Sequence, residues 1–129
     1  MARFDDSLVA VTSRSFSTNQ FLVKKLKESY PNVSLNLTGK TLKENELVKF
    51  LASADKAIVG IEIIDKDILD QLPKLKLISK YGVGLNNLDL GECKKRNIQI
   101  KFQPGSNKQS VAEFTLLLML NSLRQVHNN

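Results

Sequence analysis

One cysteine, one histidine and three prolines in 129 residues remove several chemistries before any motif is read. Cys93 has no second cysteine to pair with, and neither His nor Cys stands near it for a metal site. That usage suits a reducing, cytoplasmic setting. The only histidine, His127, lies near an end expected to fray and reads as surface rather than as a general base. Long apolar runs are missing too: residues 1–6 contain no signal-peptide core, and the densest run, residues 114–120, is too short to span a bilayer. Internal repeats, low-complexity tracts and linkers are absent.

Charge is present but dispersed. The formal net charge is +6, yet the lysines of residues 24–28 and 43–49 alternate with acids, so no basic stripe for nucleic acid forms. Small anions suit the same balance. A chain of this length with 42% hydrophobic residues has room for one domain around one sizeable core, which excludes a disordered reading.

Residues 8–12, Leu-Val-Ala-Val-Thr, read as a buried strand, followed by a helix over residues 18–30 with Phe21, Leu22 and Leu26 facing inward. Residues 33–37 alternate as an edge strand does, and residues 44–54 form a helix carrying Leu47, Val48 and Leu51. Strands are expected at 57–60, 75–79 and 98–101, with short helices at 67–71 and 90–96 between them. This alternation predicts an α/β fold: a flavodoxin-like, doubly wound, mostly parallel five-stranded sheet of order 2-1-3-4-5, covered on both faces. Ligands of such sheets sit beyond the carboxyl ends of the strands. The loops at 13–17, 60–63, 80–86 and 103–107 are therefore the ones expected to carry function.

Ser110 and Glu113 have the spacing of a capping box, so the last helix is expected to start at Ser110. From Val111 to Val126 its apolar residues are spread around nearly the whole circumference. One sheet covers one side of such a helix; the other requires a second domain or a second copy of the chain.

Two glycine-bearing turns stand out: Lys80-Tyr81-Gly82-Val83-Gly84-Leu85-Asn86-Asn87 and Gln103-Pro104-Gly105-Ser106-Asn107. The first resembles a dinucleotide fingerprint only superficially, because Asn87 stands where the third glycine belongs. Either its two glycines clear the way for an anion to reach backbone amides, or they relieve a sharp turn and nothing more. The second has the chemistry of a turn entering a helix, with Asn107 able to present an amide. Arg14, after the first strand, is able to pair with an acid group, although a lone exposed arginine is usually only solvated.

Residues 75–89, Leu-Lys-Leu-Ile-Ser-Lys-Tyr-Gly-Val-Gly-Leu-Asn-Asn-Leu-Asp, together with Pro104-Gly105-Ser106-Asn107 and the helix to Arg124, strongly resemble the amino-terminal domain of D-isomer-specific 2-hydroxyacid dehydrogenases, closest to the phosphoglycerate dehydrogenase branch. The resemblance is sharp over residues 58–126 and architectural before that. It implies a substrate-binding domain at 1–109 and an interdomain helix at 110–129 leading to a separate Rossmann domain that holds NAD. It further implies that the backbone at Tyr81, Gly82, Val83 and Gly84 binds the substrate carboxylate, that Asn107 lies in the cleft, and that Ser110 and Val111 border the nicotinamide. The Gly60-Ile61-Glu62 loop lines the same cleft, where an acid would repel an anionic tail and so argues against phosphoglycerate as substrate.

The family's catalytic Arg, Glu and His and its complete GxGxxG correspond to sequence beyond residue 129. The chain is accordingly expected to be a truncated, split or degraded part of an enzyme, inactive alone, with a small 2-hydroxy or 2-oxo acid and either the NAD-binding domain or a second copy as partners. The competing reading is a free-standing small-acid-binding or regulatory module that self-associates, as a dimer at least, through its terminal helix. A signalling receiver is disfavoured, because Thr12-Ser13 and Gly60-Ile61-Glu62 stand where its acids would be needed.

Overall fold

A computed structural model describes residues 5–124. The first strand, β1 (Val9–Val11), is an interior strand and wholly buried, as expected of valines in a parallel sheet. β2 (Val33–Leu35) pairs on one side of it; β3 (Lys56–Val59), β4 (Leu77–Lys80) and β5 (Gln99–Lys101) continue on the other. All pairs are parallel and the order is β2-β1-β3-β4-β5, the predicted topology.

The helix anticipated at 18–30 is two helices, α1 (Arg14–Thr18) and α2 (Gln20–Ser29). Asn19 divides them, taking an extended backbone and accepting a hydrogen bond from Leu22 N at 3.1 Å as the cap of α2. Most of the expected loop at 13–17 is thus helical. Phe21 does not face inward: it is 67% exposed, while Leu22 and Leu26 are half-buried. Strand β2 ends at Leu35, short of the expected 37, and its three residues are all half-buried rather than alternating.

Helices α3 (Glu44–Leu51), α4 (Lys66–Asp70) and α5 (Leu90–Lys95) pack on one face of the sheet. Register explains which residues that face buries, because neighbours in a parallel ladder point the same way. Ala57, Ile78 and Ile100 are such a row, and they join Leu47, Leu51, Leu69 and Cys93 in the core. Each buried leucine contributes roughly 1.5–3 kcal/mol relative to exposure.

The opposite face is less covered than the doubly wound reading implied. Val9, Val11 and Phe16 are buried there where α1 and α2 lie, but the rows Lys56-Leu77-Gln99 and Ile58-Ser79-Lys101 are half-buried or exposed. The reason is the course of the last helix. α6 (Lys108–Arg124) leaves the sheet, and its residues are exposed all round apart from the half-buried Asn121. The expectation that the sheet covers one side of this helix is therefore not met.

The capping box also fails. The helix begins at Lys108, with Lys108 N donating to Gly105 O at 3.1 Å, which places Ser110 inside the first turn. Glu113 accepts from the Gln109 side chain at 3.0 Å instead of reaching back to Ser110. Gly105, at φ 70°, supplies the left-handed turn that starts α6 two residues early. Val126 and His127 lie outside the described residues. Among those described, no helix is long and apolar enough to cross a membrane.

Candidate functional site

The carboxyl ends of β1, β3, β4 and β5 deliver four segments to one edge of the sheet. Lys80, Tyr81, Gly82 and Val83 meet Gln103, Ser106 and Asn107 around a shallow cavity of about 420 Å³. The two glycine-bearing turns, separate in sequence, thus share one depression. A second cavity of about 450 Å³ lies between the ends of β1 and β3, lined by Ser13, Arg14, Gly60, Ile61 and Glu62 among others. Tyr81 lines both. Its position is fixed by Phe16 of α1, whose ring meets it edge-on with centroids 5.4 Å apart.

The turn after β4 has unspent donors. Tyr81 N closes the ladder by donating to Val59 O at 2.8 Å, and beyond it the amides of Gly82, Val83 and Gly84 donate to no acceptor among the described residues. Gly82 takes φ 142°, which side-chain-bearing residues rarely adopt. At Gly84 an added Cβ would lie 3.2 Å from Asn86 Oδ1, so the bend is tight as well as bare. Three consecutive N–H groups with no acceptor among the described residues, with a glycine on either side of Val83, suit a carboxylate or phosphate.

Glu62 lines the second cavity but does not aim its charge there freely. It is 2% exposed, and its Oε2 accepts from Thr12 Oγ1 at 2.8 Å and from Gly60 N at 2.9 Å. The repulsion foreseen from an acid at this place is offset by these donors and by the attraction of Lys80. Lys80 itself donates through Nζ to Gly60 O. Burial lowers its pKa, and the Glu62 charge opposes that shift. Asn87 completes the staple, its Nδ2 donating to Glu62 O at 2.6 Å and Gly60 O at 3.2 Å.

Sequence reasoning placed Lys80 in a loop expected to carry function but gave it no role, and it assigned none to Thr12 or Asn87. The one signal available was Asn87 itself, which breaks the glycine pattern: an amide was needed there to bridge two carbonyls of the β3 loop. Ser110 and Val111 are exposed on the first turns of α6 and line neither cavity. Among the described residues, no group of three His, Cys, Asp or Glu side chains is placed to hold a metal.

The family described as D-isomer specific 2-hydroxyacid dehydrogenase, catalytic domain, matches residues 9–124. Over 93 residues the chain is 32% identical to hydroxypyruvate reductase of Thermotoga maritima, a match covering 71% of this chain and 30% of the relative. Over 83 residues it is 34% identical to D-3-phosphoglycerate dehydrogenase of Mycobacterium tuberculosis, covering 64% and 16%. Its fold is similar to the crystal structure of an NAD+-bound 3-phosphoglycerate dehydrogenase from Entamoeba histolytica, with a TM-score of 0.73 at 23% identity, covering 91% of this chain and 39% of that one. The chain spans a minor part of each relative.

Proposed function

Since this chain belongs to the D-isomer specific 2-hydroxyacid dehydrogenase family, we propose that it forms the acid-binding half of the cleft of an NAD-dependent dehydrogenase. Residues 1–109 act as the substrate-binding domain, and residues 110–129 as the segment that joins it to an NAD-binding domain. A small 2-hydroxy or 2-oxo acid is the substrate class, and the cytoplasm the compartment.

One observation carries the reading: the amides of Gly82, Val83 and Gly84 are free in a turn that borders the same cavity as Asn107. A carboxylate held there would receive up to three backbone hydrogen bonds, each charge-assisted. Asn107, at the far wall, orients the 2-oxo or 2-hydroxy group with its side-chain amide. Lys80, beside the turn, adds positive charge that attracts the acid.

The fit to NAD is partial. Ser110 and Val111 are exposed and offer one wall for a nicotinamide, which when bound would exchange a hydride with the acid's second carbon. No grip for the pyrophosphate follows from Gly82-Val83-Gly84-Leu85-Asn86-Asn87, because Asn87 is committed to bridging Gly60 and Glu62. The cofactor's main contacts and the general acid must come from other residues. The exposed apolar surface of α6, including Phe114, Leu117 and Leu120, is the surface against which that domain, or a second copy, would pack.

Titration of the ¹⁵N-labelled 129-residue chain with hydroxypyruvate tests the proposal. Amide shifts concentrated at residues 82–84 and 107 are the expected result, and their absence at saturating acid would sink it. NADH added to the same sample stays unoxidised if the division of labour is right.

A further inference from the structure

The second cavity, between the ends of β1 and β3, has a cation, Arg14, in its lining. Arg14 donates through Nη1 to Gly39 O at 3.2 Å and, among the described residues, has no carboxylate partner. The carbonyl that anchors it is itself held in place. Asn36, 1% exposed, donates to Thr12 O at 2.8 Å and Lys40 O at 2.9 Å, and accepts from Thr38 Oγ1 at 2.7 Å. These bonds fasten the loop bearing Gly39 onto the end of β1. The same Thr12 uses its hydroxyl to hold the Glu62 carboxylate. One buried residue therefore both fixes the support of the cation and ties down the one acid in the cavity lining.

Tyr81 separates this cavity from the turn with the free amides while lining both. The two depressions are thus neighbours across a single ring. Gly60 lets Ser13 and Glu62 close in on the backbone in the lining: a Cβ there would come within 3.2 Å of Ser13 Cβ and 3.3 Å of Glu62 Oε2. A guanidinium with most of its fork free is suited to planar anions such as carboxylate and phosphate.

We propose that Arg14 forms a second anion subsite, selecting 2-oxo or 2-hydroxy acids that carry another carboxylate or a phosphate at their far end. The inference rests on the reading of residues 82–84 as the site of the first carboxylate, and it adds the substrate class to it. Arg14 is a specificity residue here and takes no part in proton or hydride transfer.

The test compares three ligands by NMR titration of the full 129-residue chain: 2-oxobutyrate with one anionic group, 2-oxoglutarate with a second carboxylate, and 3-phosphooxypyruvate with a phosphate. In the wild type, at least one doubly charged acid should bind roughly two- to fivefold tighter than 2-oxobutyrate and shift the Arg14 side-chain Nε–H, the modest gain expected of a solvent-facing pair. Which of the two does so names the far group. In Arg14→Gln the ratio of dissociation constants should fall towards one. Equal affinities in the wild type, or a preference that survives Arg14→Gln, would overturn the subsite while leaving the turn intact, provided that 2-oxobutyrate shifts residues 82–84. If no acid shifts that turn yet the doubly charged ones still shift Arg14, the subsite stands and the reading of the turn fails. If neither region responds, both fall.

Discussion

The hydroxyl of Thr12, at the end of β1, donates to the buried carboxylate of Glu62, beyond β3, over 2.8 Å. Gly60 N is the second donor on the same oxygen. Replacing Thr12 with valine keeps the shape and removes one donor, leaving a buried anion short of a partner. A loss of about 1–3 kcal/mol is expected in urea unfolding. A valine variant as stable as the wild type would show that the bond contributes nothing.

Gly82 holds a backbone conformation that side-chain-bearing residues rarely adopt. At φ 142°, Gly82→Ala should cost about 1–3 kcal/mol in thermal or chemical unfolding and weaken acid binding through a distorted turn. The control is Gly91→Ala: Gly91 sits in helix α5, where alanine is favoured by about 1 kcal/mol. Opposite signs for the two variants are the expected outcome.

Leu47 and Leu117 are both leucines on helices, but their surroundings differ. Leu47 is 1% exposed in the core, so Leu47→Ala should destabilise by about 2–5 kcal/mol. Leu117 is 58% exposed on α6, so Leu117→Glu should change unfolding by less than about 0.5 kcal/mol. Its effect belongs to association: sedimentation at high concentration should show less self-association than the wild type. An unchanged distribution would argue that α6 does not mediate contact between copies.

Acid titration isolates one ion pair. The Lys56 ammonium, hydrogen-bonded to Asp5, holds that carboxyl at about 2, below its ordinary 3.8. Because the folded value is the lower one, the pair's contribution is complete above about pH 4 and is lost as pH falls through about 2. The gap in urea midpoint between wild type and Asp5→Asn should therefore close across that window. A gap that stayed constant with pH would contradict the pairing.

Cys93 is buried in α5, and burial, with Asp89 nearby, raises its pKa. A thiol reagent should consequently react slowly with the native chain and rapidly in urea. Fast native labelling would mean that α5 opens far more readily than its packing implies.

Much of this protein was legible in one dimension. The buried run at Val9–Val11, the leucines of α3 and the alternation of strand and helix lead to a parallel sheet of order 2-1-3-4-5, because β-branched runs and 3.6-residue periods each demand one kind of element and right-handed crossovers leave few topologies. The two glycine turns were legible too, since glycine and proline punctuate the chain by local sterics alone. Asn19 was harder to read: its capping of α2 splits a helix whose apolar spacing runs on unbroken.

Tertiary structure decided what no spacing encodes. The way Glu62 is held depends on Thr12, 50 residues away, and on Lys80 of β4 and Asn87 of the turn after it. The exposure of α6 likewise depends on the direction in which Gly105 releases it, not on its composition. Local sterics and hydrophobic period act over a few residues and are written in sequence order. Charge compensation and coverage act between segments that meet only when the sheet has formed, and so belong to the fold.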